Sequence, residues 1–114
     1  MVSDKRNIHR QRKRLQLRFG VAEANRIGFT DDISPTGLFI KSAIVQNPQT
    51  LLKVELTAPD GELIVLTGRV MWAKKVPPNL LCRIKGGMGI RIIEFQRGED
   101  RYRSLCLVPA ATLV

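Results

Sequence analysis

The sequence predicts an all-β fold: a small, closed, antiparallel β-barrel with a flexible basic arm before it and a short helix after it. Three observations predict it. Apolar and polar residues alternate over several short runs, the period of half-buried strands. Turn-forming residues separate those runs, notably Asp32-Ile33-Ser34-Pro35-Thr36-Gly37 and Pro59-Asp60-Gly61. Strands do not alternate with helices, which excludes a parallel α/β sheet, and six or so antiparallel strands avoid exposed edges by closing. The 114 residues make one domain. An apolar content of 44% excludes wholesale disorder.

Residues 1–13 show no apolar periodicity and are read as the arm; residues 14–114 are read as the barrel domain. From Lys13 the period becomes two, with Leu15, Leu17, Phe19 and Val21 on one face and Arg14, Gln16 and Arg18 on the other. Ala22 to Asn25 turns the chain into a second strand over Arg26–Asp31. The turn from Asp32 to Gly37 follows, and then a short apolar strand, Leu38–Lys41. Residues 42–50 are a loop. Leu52, Val54 and Leu56 mark one face of a strand over Leu51–Ala58. Pro59-Asp60-Gly61 then forms a hairpin into a long strand, Glu62–Trp72. On that strand Ile64, Leu66, Gly68, Val70 and Trp72 share a face, and Gly68 predicts a bend or bulge. Lys74–Lys85 is a polar connector with some edge pairing at Leu80-Leu81-Cys82. Gly86-Gly87 leads into a strand over Met88–Phe95. The last segment, Glu99–Leu107, predicts a short helix with Tyr102, Leu105 and Cys106 as its apolar stripe and Pro109 as its stop.

Nineteen Lys and Arg against ten Asp and Glu leave a net charge of +9. Residues 1–26 carry eight bases and two acids, so +6 of that charge sits in less than a quarter of the chain. A basic arm on a nearly balanced body predicts an anionic partner. Six of the eight bases in residues 1–26 are arginine, whose planar fork suits phosphate oxygens and guanine edges. The N-terminus lacks the apolar stretch of a signal peptide, and no run is long enough to span a membrane. Two cysteines, Cys82 and Cys106, are too few for a four-cysteine zinc site; they read as two buried thiols, with a lone disulfide left open. The lone His9 lies in the arm, and no metal, nucleotide-fold or nucleophile motif occurs, so neither catalysis nor a cofactor is expected.

Two features point to a ligand. The arm and the start of the first strand contain RxxxR spacings at Arg6–Arg10, Arg10–Arg14 and Arg14–Arg18, and the early turn reads D-x-S-x-x-G at Asp32, Ser34 and Gly37. A carboxylate at Asp32 can accept from the N–H edge of guanine. Ser34 can cap the turn or donate to phosphate. Gly37 allows a conformation or an approach that a Cβ would block. The same residues would also serve a turn that merely links two strands.

Together, the arm and the turn resemble the PilZ domain, a bacterial receptor for cyclic di-GMP. The resemblance runs from KRNIHR through DDISPTGLFI and GRVMW to GGMGIRIIEF and covers most of the chain. It implies a six-stranded antiparallel PilZ-like β-barrel with a C-terminal helix. It also implies a cytoplasmic effector of second-messenger signalling, not an enzyme, with motility or exopolysaccharide regulation among the family's outputs. Cyclic di-GMP would be bound by Arg6, Arg10, Asp32, Ser34 and Gly37, with the arm folding over the ligand. Arg6 and Arg10 are preferred because Arg10 stands 22 positions before Asp32, close to the family's spacing, whereas Arg14 reads as part of the first strand. The register Arg10–Arg14 stays open beside it. Lys5, Arg14 and Trp72 are additional candidates, Trp72 as a wall of the site or as core. Two rivals remain: a basic barrel binding single-stranded nucleic acid, and a PilZ-like adaptor that binds a protein and no nucleotide. The first is disfavoured because Phe19, Phe29 and Phe39 read as core, not as a stacking surface. Apolar surface on the C-terminal segment leaves a homodimer open.

Overall fold

The computed structural model describes residues 11–80 and 86–112. The elements in order are β1 (Gln11–Arg12), β2 (Gln16–Gly20), β3 (Arg26–Ser34), β4 (Gly37–Lys41), β5 (Leu51–Thr57), β6 (Leu63–Lys74), a 3₁₀ turn (Pro78–Leu80), β7 (Gly87–Arg97) and a helix, α1 (Glu99–Thr112). β3 pairs with β2 along one edge and with β4 along the other. The ring β3-β2-β5-β6-β7-β4 therefore closes as a six-stranded antiparallel barrel. β1 lengthens the β2 edge by pairing Gln11 with Ile33 and Arg12 with Asp32. This is the barrel with a C-terminal helix that the sequence and its resemblance predict.

The alternating pattern becomes the barrel's two faces. Directly opposed residues on antiparallel strands share a face, so Leu17–Leu56–Ile64, Phe19–Val54–Leu66 and Leu38–Ile90–Val70 form inward rows. All nine of these side chains are buried in one apolar core. Tyr102, Leu105 and Cys106 of α1 complete that core as the predicted stripe. Burial pushes the Cys106 thiol up, outweighing a hydrogen bond with Tyr102 that pulls it down, so it packs in the core as a neutral thiol. Cys82 lies outside the described residues.

Several boundaries differ from the sequence reading, each for a local reason. Strand pairing begins within the expected arm, at Gln11–Arg12, because a two-residue bridge needs only backbone groups and leaves no side-chain period to detect. Between β1 and β2 the chain steps out of register around Lys13–Leu15. The Thr30 hydroxyl fills that step, donating to the Lys13 carbonyl and accepting from the Leu15 N–H at 2.7 Å. Val21 leaves the Leu15–Leu17–Phe19 face because β2 has already ended at Gly20; its side chain is exposed. β3 runs on through Asp32 and Ser34, so the reversal is confined to Pro35-Thr36. The bend expected at Gly68 is present as a register shift between Thr67 and Gly68. α1 continues past Pro109, since a proline deletes one backbone N–H and ends a helix only where that loss decides the balance.

Candidate functional site

Asp32, Phe39, Gly89 and Trp72 are brought into one row by pairing alone: Asp32 opposes Phe39, Phe39 opposes Gly89, and Gly89 opposes Trp72. The row crosses β3, β4, β7 and β6 on the face away from the core. Two irregularities put it there. A register shift between Thr30 and Asp32 aims the aspartate outward while Ile33 stays in the core. A second shift, between Val70 and Trp72, turns the indole out of the alternation that buries Ile64, Leu66 and Val70. Simple period two places Trp72 with those core residues. The bulge overrules it, and Trp72 is 47% exposed.

The row is tightly fitted. The Trp72 and Phe39 ring centroids lie 5.3 Å apart with planes tilted by 31°. Gly89 makes room for the indole, since a Cβ there would come within 2.2 Å of Trp72 Nε1. Phe39 is thus buried outside the core, beneath Trp72. Of the three early phenylalanines read as core, Phe19 alone belongs to it. Phe29 lies under the Arg14 guanidinium, 4.0 Å from its centroid, a cation–π contact.

The turn lies beside this row. The Ser34 hydroxyl accepts from the Gly37 N–H and donates to the Gly37 carbonyl, both at 3.2 Å. Its capacity is used within the turn, and Ser34 is fully buried. Gly37 is required by approach, not by backbone twist: a Cβ would stand 2.4 Å from the Ile90 carbonyl oxygen on β7. β7 also donates the Ile92 N–H to the Thr36 carbonyl at 2.9 Å. From the other side, the Tyr102 hydroxyl donates to the Ser34 carbonyl at 2.6 Å, with the Gly37 carbonyl at 3.1 Å. Asp32 is 8% exposed at the strand end leading into this turn.

A groove of 340 Å³ runs between the turn and the indole, lined by Thr36, Gly37, Met71, Trp72, Gly89, Ile90 and Arg91. A second hollow of 450 Å³ shares Thr36 and Arg91 and extends toward Glu99 and Arg103 of α1. Arg91 therefore stands between two concavities beside the turn, opposite Gly37 on β4 and Arg69 on β6. The structure thus brings Asp32, Ser34, Gly37 and Trp72 to one region. Arg14 is engaged with Phe29. Lys5, Arg6, His9 and Arg10 lie outside the described residues.

Phe39, Gly89, Arg91 and Tyr102 belong to this region and were not singled out by the sequence. Tyr102 was legible only as part of a helical stripe. Phe39 and Gly89 take their places from the β4–β7 register, which no local pattern encodes.

No significant sequence match was found among curated proteins. Among solved structures, the chain is similar to the Bacillus subtilis inhibitor of motility MotI/DgrA, with a TM-score of 0.75 at 16% identity over 95% of this chain. The similarity covers 52% of MotI, so the chain spans about half its length. It is also similar to the PilZ domain of CeSA from a cellulose-synthesizing bacterium, with a TM-score of 0.52 at 23% identity, covering 91% of this chain and 98% of that one. At such identities these likenesses establish the fold. The model of the PilZ domain matches residues 4–106, which takes in the arm, the DxSxxG turn and every strand, and the chain is a member of the PilZ domain family.

Proposed function

We propose that the chain is a cyclic di-GMP receptor that grips the nucleotide between its arginine arm and the outer face beside the DxSxxG turn. The observation that carries this reading is the outer-face row that joins Asp32 to the exposed Trp72 through Phe39 and Gly89, beside a groove lined by Trp72 and by Thr36 and Gly37 of the turn. Asp32 would accept from a guanine N–H edge, and Trp72 would supply a stacking face. Arg6 and Arg10 would bring charge-assisted forks to the phosphates or to guanine O6 and N7. One observation favours that register over Arg10–Arg14: Arg14 already covers Phe29. Arg10, common to both registers, directly precedes Gln11, which is paired to Ile33 next to Asp32. Ser34 and Gly37 contribute by shaping the rim. The arm would fold over the ligand on binding, and that change would be the signal passed on. Control of motility or of surface polysaccharide is the output we favour, in view of the two structural neighbours.

Calorimetric titration of the purified chain with cyclic di-GMP, GTP and a short oligonucleotide tests the proposal. Saturable binding of cyclic di-GMP alone is expected. Arg10→Ala should weaken it about tenfold, the scale of one charge-assisted fork, with an unchanged thermal midpoint. No response to the nucleotide refutes the reading, and saturation by the oligonucleotide instead would favour a nucleic-acid binder.

Gly89→Ala tests the stacking face. The added methyl collides with the indole, and the indole is a half-exposed side chain that can swing aside. The barrel should therefore fold. Trp72 is the chain's one tryptophan, so its emission reports directly and should shift to longer wavelength. Affinity for cyclic di-GMP should fall about fivefold or more, the scale of one base–aromatic stack.

A further inference from the structure

We propose that Tyr102 is a positioning residue for the ligand-binding turn, so that helix α1 and the nucleotide site are coupled through one phenolic hydroxyl. This rests on the receptor reading above. Tyr102 is fully buried, and its hydroxyl lies between two carbonyls that flank Pro35-Thr36: Ser34 at 2.6 Å and Gly37 at 3.1 Å. One phenolic hydrogen is thus shared across the mouth of the turn, 65 residues away in sequence.

On the side facing α1 the turn is held by this hydroxyl, and on the other by strand pairing of Ser34 with Gly37 and of Gly37 with Arg91. Ser34 Oγ closes it internally, and β7 takes the Thr36 carbonyl. The Ser34 carbonyl is bound by α1, and a buried carbonyl that loses its donor has strong reason to move. α1 in turn is a firm anchor. Leu105 and Cys106 fix it in the core, the Phe95 and Tyr102 ring centroids lie 5.4 Å apart, and Arg101 pairs with Asp60 of the β5–β6 hairpin at 3.2 Å. Asp60 is held in its charged form first by the Glu62 N–H and then by Arg101. The helix therefore presents the hydroxyl at a set place, and the turn conforms to it.

Linkage makes this coupling reciprocal: if the helix holds the turn in its binding shape, a ligand that needs that shape must tighten the helix by the same factor. The geometry gives α1 a way to report occupancy without touching the nucleotide.

The test uses the full chain and three variants. Tyr102→Phe keeps the ring and deletes the hydroxyl. In the absence of ligand, amide exchange at Thr36 and Gly37 should quicken, while that of the β5–β6 hairpin stays unchanged. Affinity for cyclic di-GMP should fall about five- to tenfold, the worth of one buried hydrogen bond. Leu105→Val is the control for helix packing: it loosens the core but removes no hydrogen-bonding group, so its affinity should fall by less than that of Tyr102→Phe. Asp32→Ala reports on the receptor reading itself. In wild type, saturating nucleotide should slow exchange in α1, and Tyr102→Phe should abolish that slowing.

The proposal is overturned if Tyr102→Phe binds as wild type does, or if Leu105→Val weakens binding as much as Tyr102→Phe does. Unchanged exchange at Thr36 and Gly37 in the unliganded Tyr102→Phe protein overturns it as well. If wild type binds and Asp32→Ala does not, the receptor reading stands whatever Tyr102 does. If wild type fails to bind, both fall.

Discussion

Asp32→Ala is expected to lower affinity for cyclic di-GMP by up to about a hundredfold and to erase most of the preference for guanine. The bulge between Thr30 and Asp32 directs this carboxylate outward near the end of β3, beside Phe39 on β4, with Gly89 two strands and Trp72 three strands along the same row. An ionised carboxylate only accepts hydrogen bonds, and guanine presents two donors together, N1–H and the exocyclic N2–H. A bidentate match of this kind discriminates bases by about 1–3 kcal/mol. Adenine has no such donor pair. Cyclic di-AMP should therefore lose little when Asp32 is removed, because it gains little from Asp32 in wild type. Parallel calorimetric titrations of the two dinucleotides, with denaturant midpoints to confirm folding, measure this. An equal loss for both ligands would assign Asp32 to holding the turn and not to reading the base.

The barrel was legible because its core rows are strict. Leu15, Leu17 and Phe19, then Leu52, Val54 and Leu56, alternate without interruption, and each set is buried as its period predicts. The helix was legible from Tyr102, Leu105 and Cys106 for the same reason, applied at a helical period. The site was harder to read because it is built where the period breaks. Trp72 follows Ile64, Leu66 and Val70 in sequence step and departs from them at a bulge. Phe39 stands between Leu38 and Ile40, both core residues, yet it is buried on the opposite face by Trp72. An apolar run of that kind carries no mark of which face each residue takes when both faces are covered. The motif letters were legible, but their division of labour was not. Ser34 was open to phosphate donation or to turn capping, and its hydroxyl is engaged by Gly37.

Gly37→Ala should destabilise the fold by about 3 kcal/mol, the upper range for forcing a methyl into a closed site. The added Cβ would lie 2.4 Å from the Ile90 carbonyl oxygen. That obstacle is backbone, not a side chain that can rotate away. Neither strand yields readily, because β4 is paired to β3 on one side and to β7 on the other, and this seam closes the ring. Gly61→Ala is the informative contrast. Gly61 has φ +93° at the β5–β6 hairpin, with open space around its Cβ position. Its cost is conformational alone, about 1 kcal/mol, and is partly offset by a less flexible unfolded chain. Denaturant midpoints for the two variants should differ in that order. A Gly37→Ala loss no larger than that of Gly61→Ala would mean that β4 and β7 can part at the seam. The glycine would then be set by the ligand's approach. With the expected order, Gly37 serves closure first: the strand crossing that shuts the barrel is also what gives the DxSxxG turn its shape, so recognition at that turn, as proposed, would depend on the same close approach.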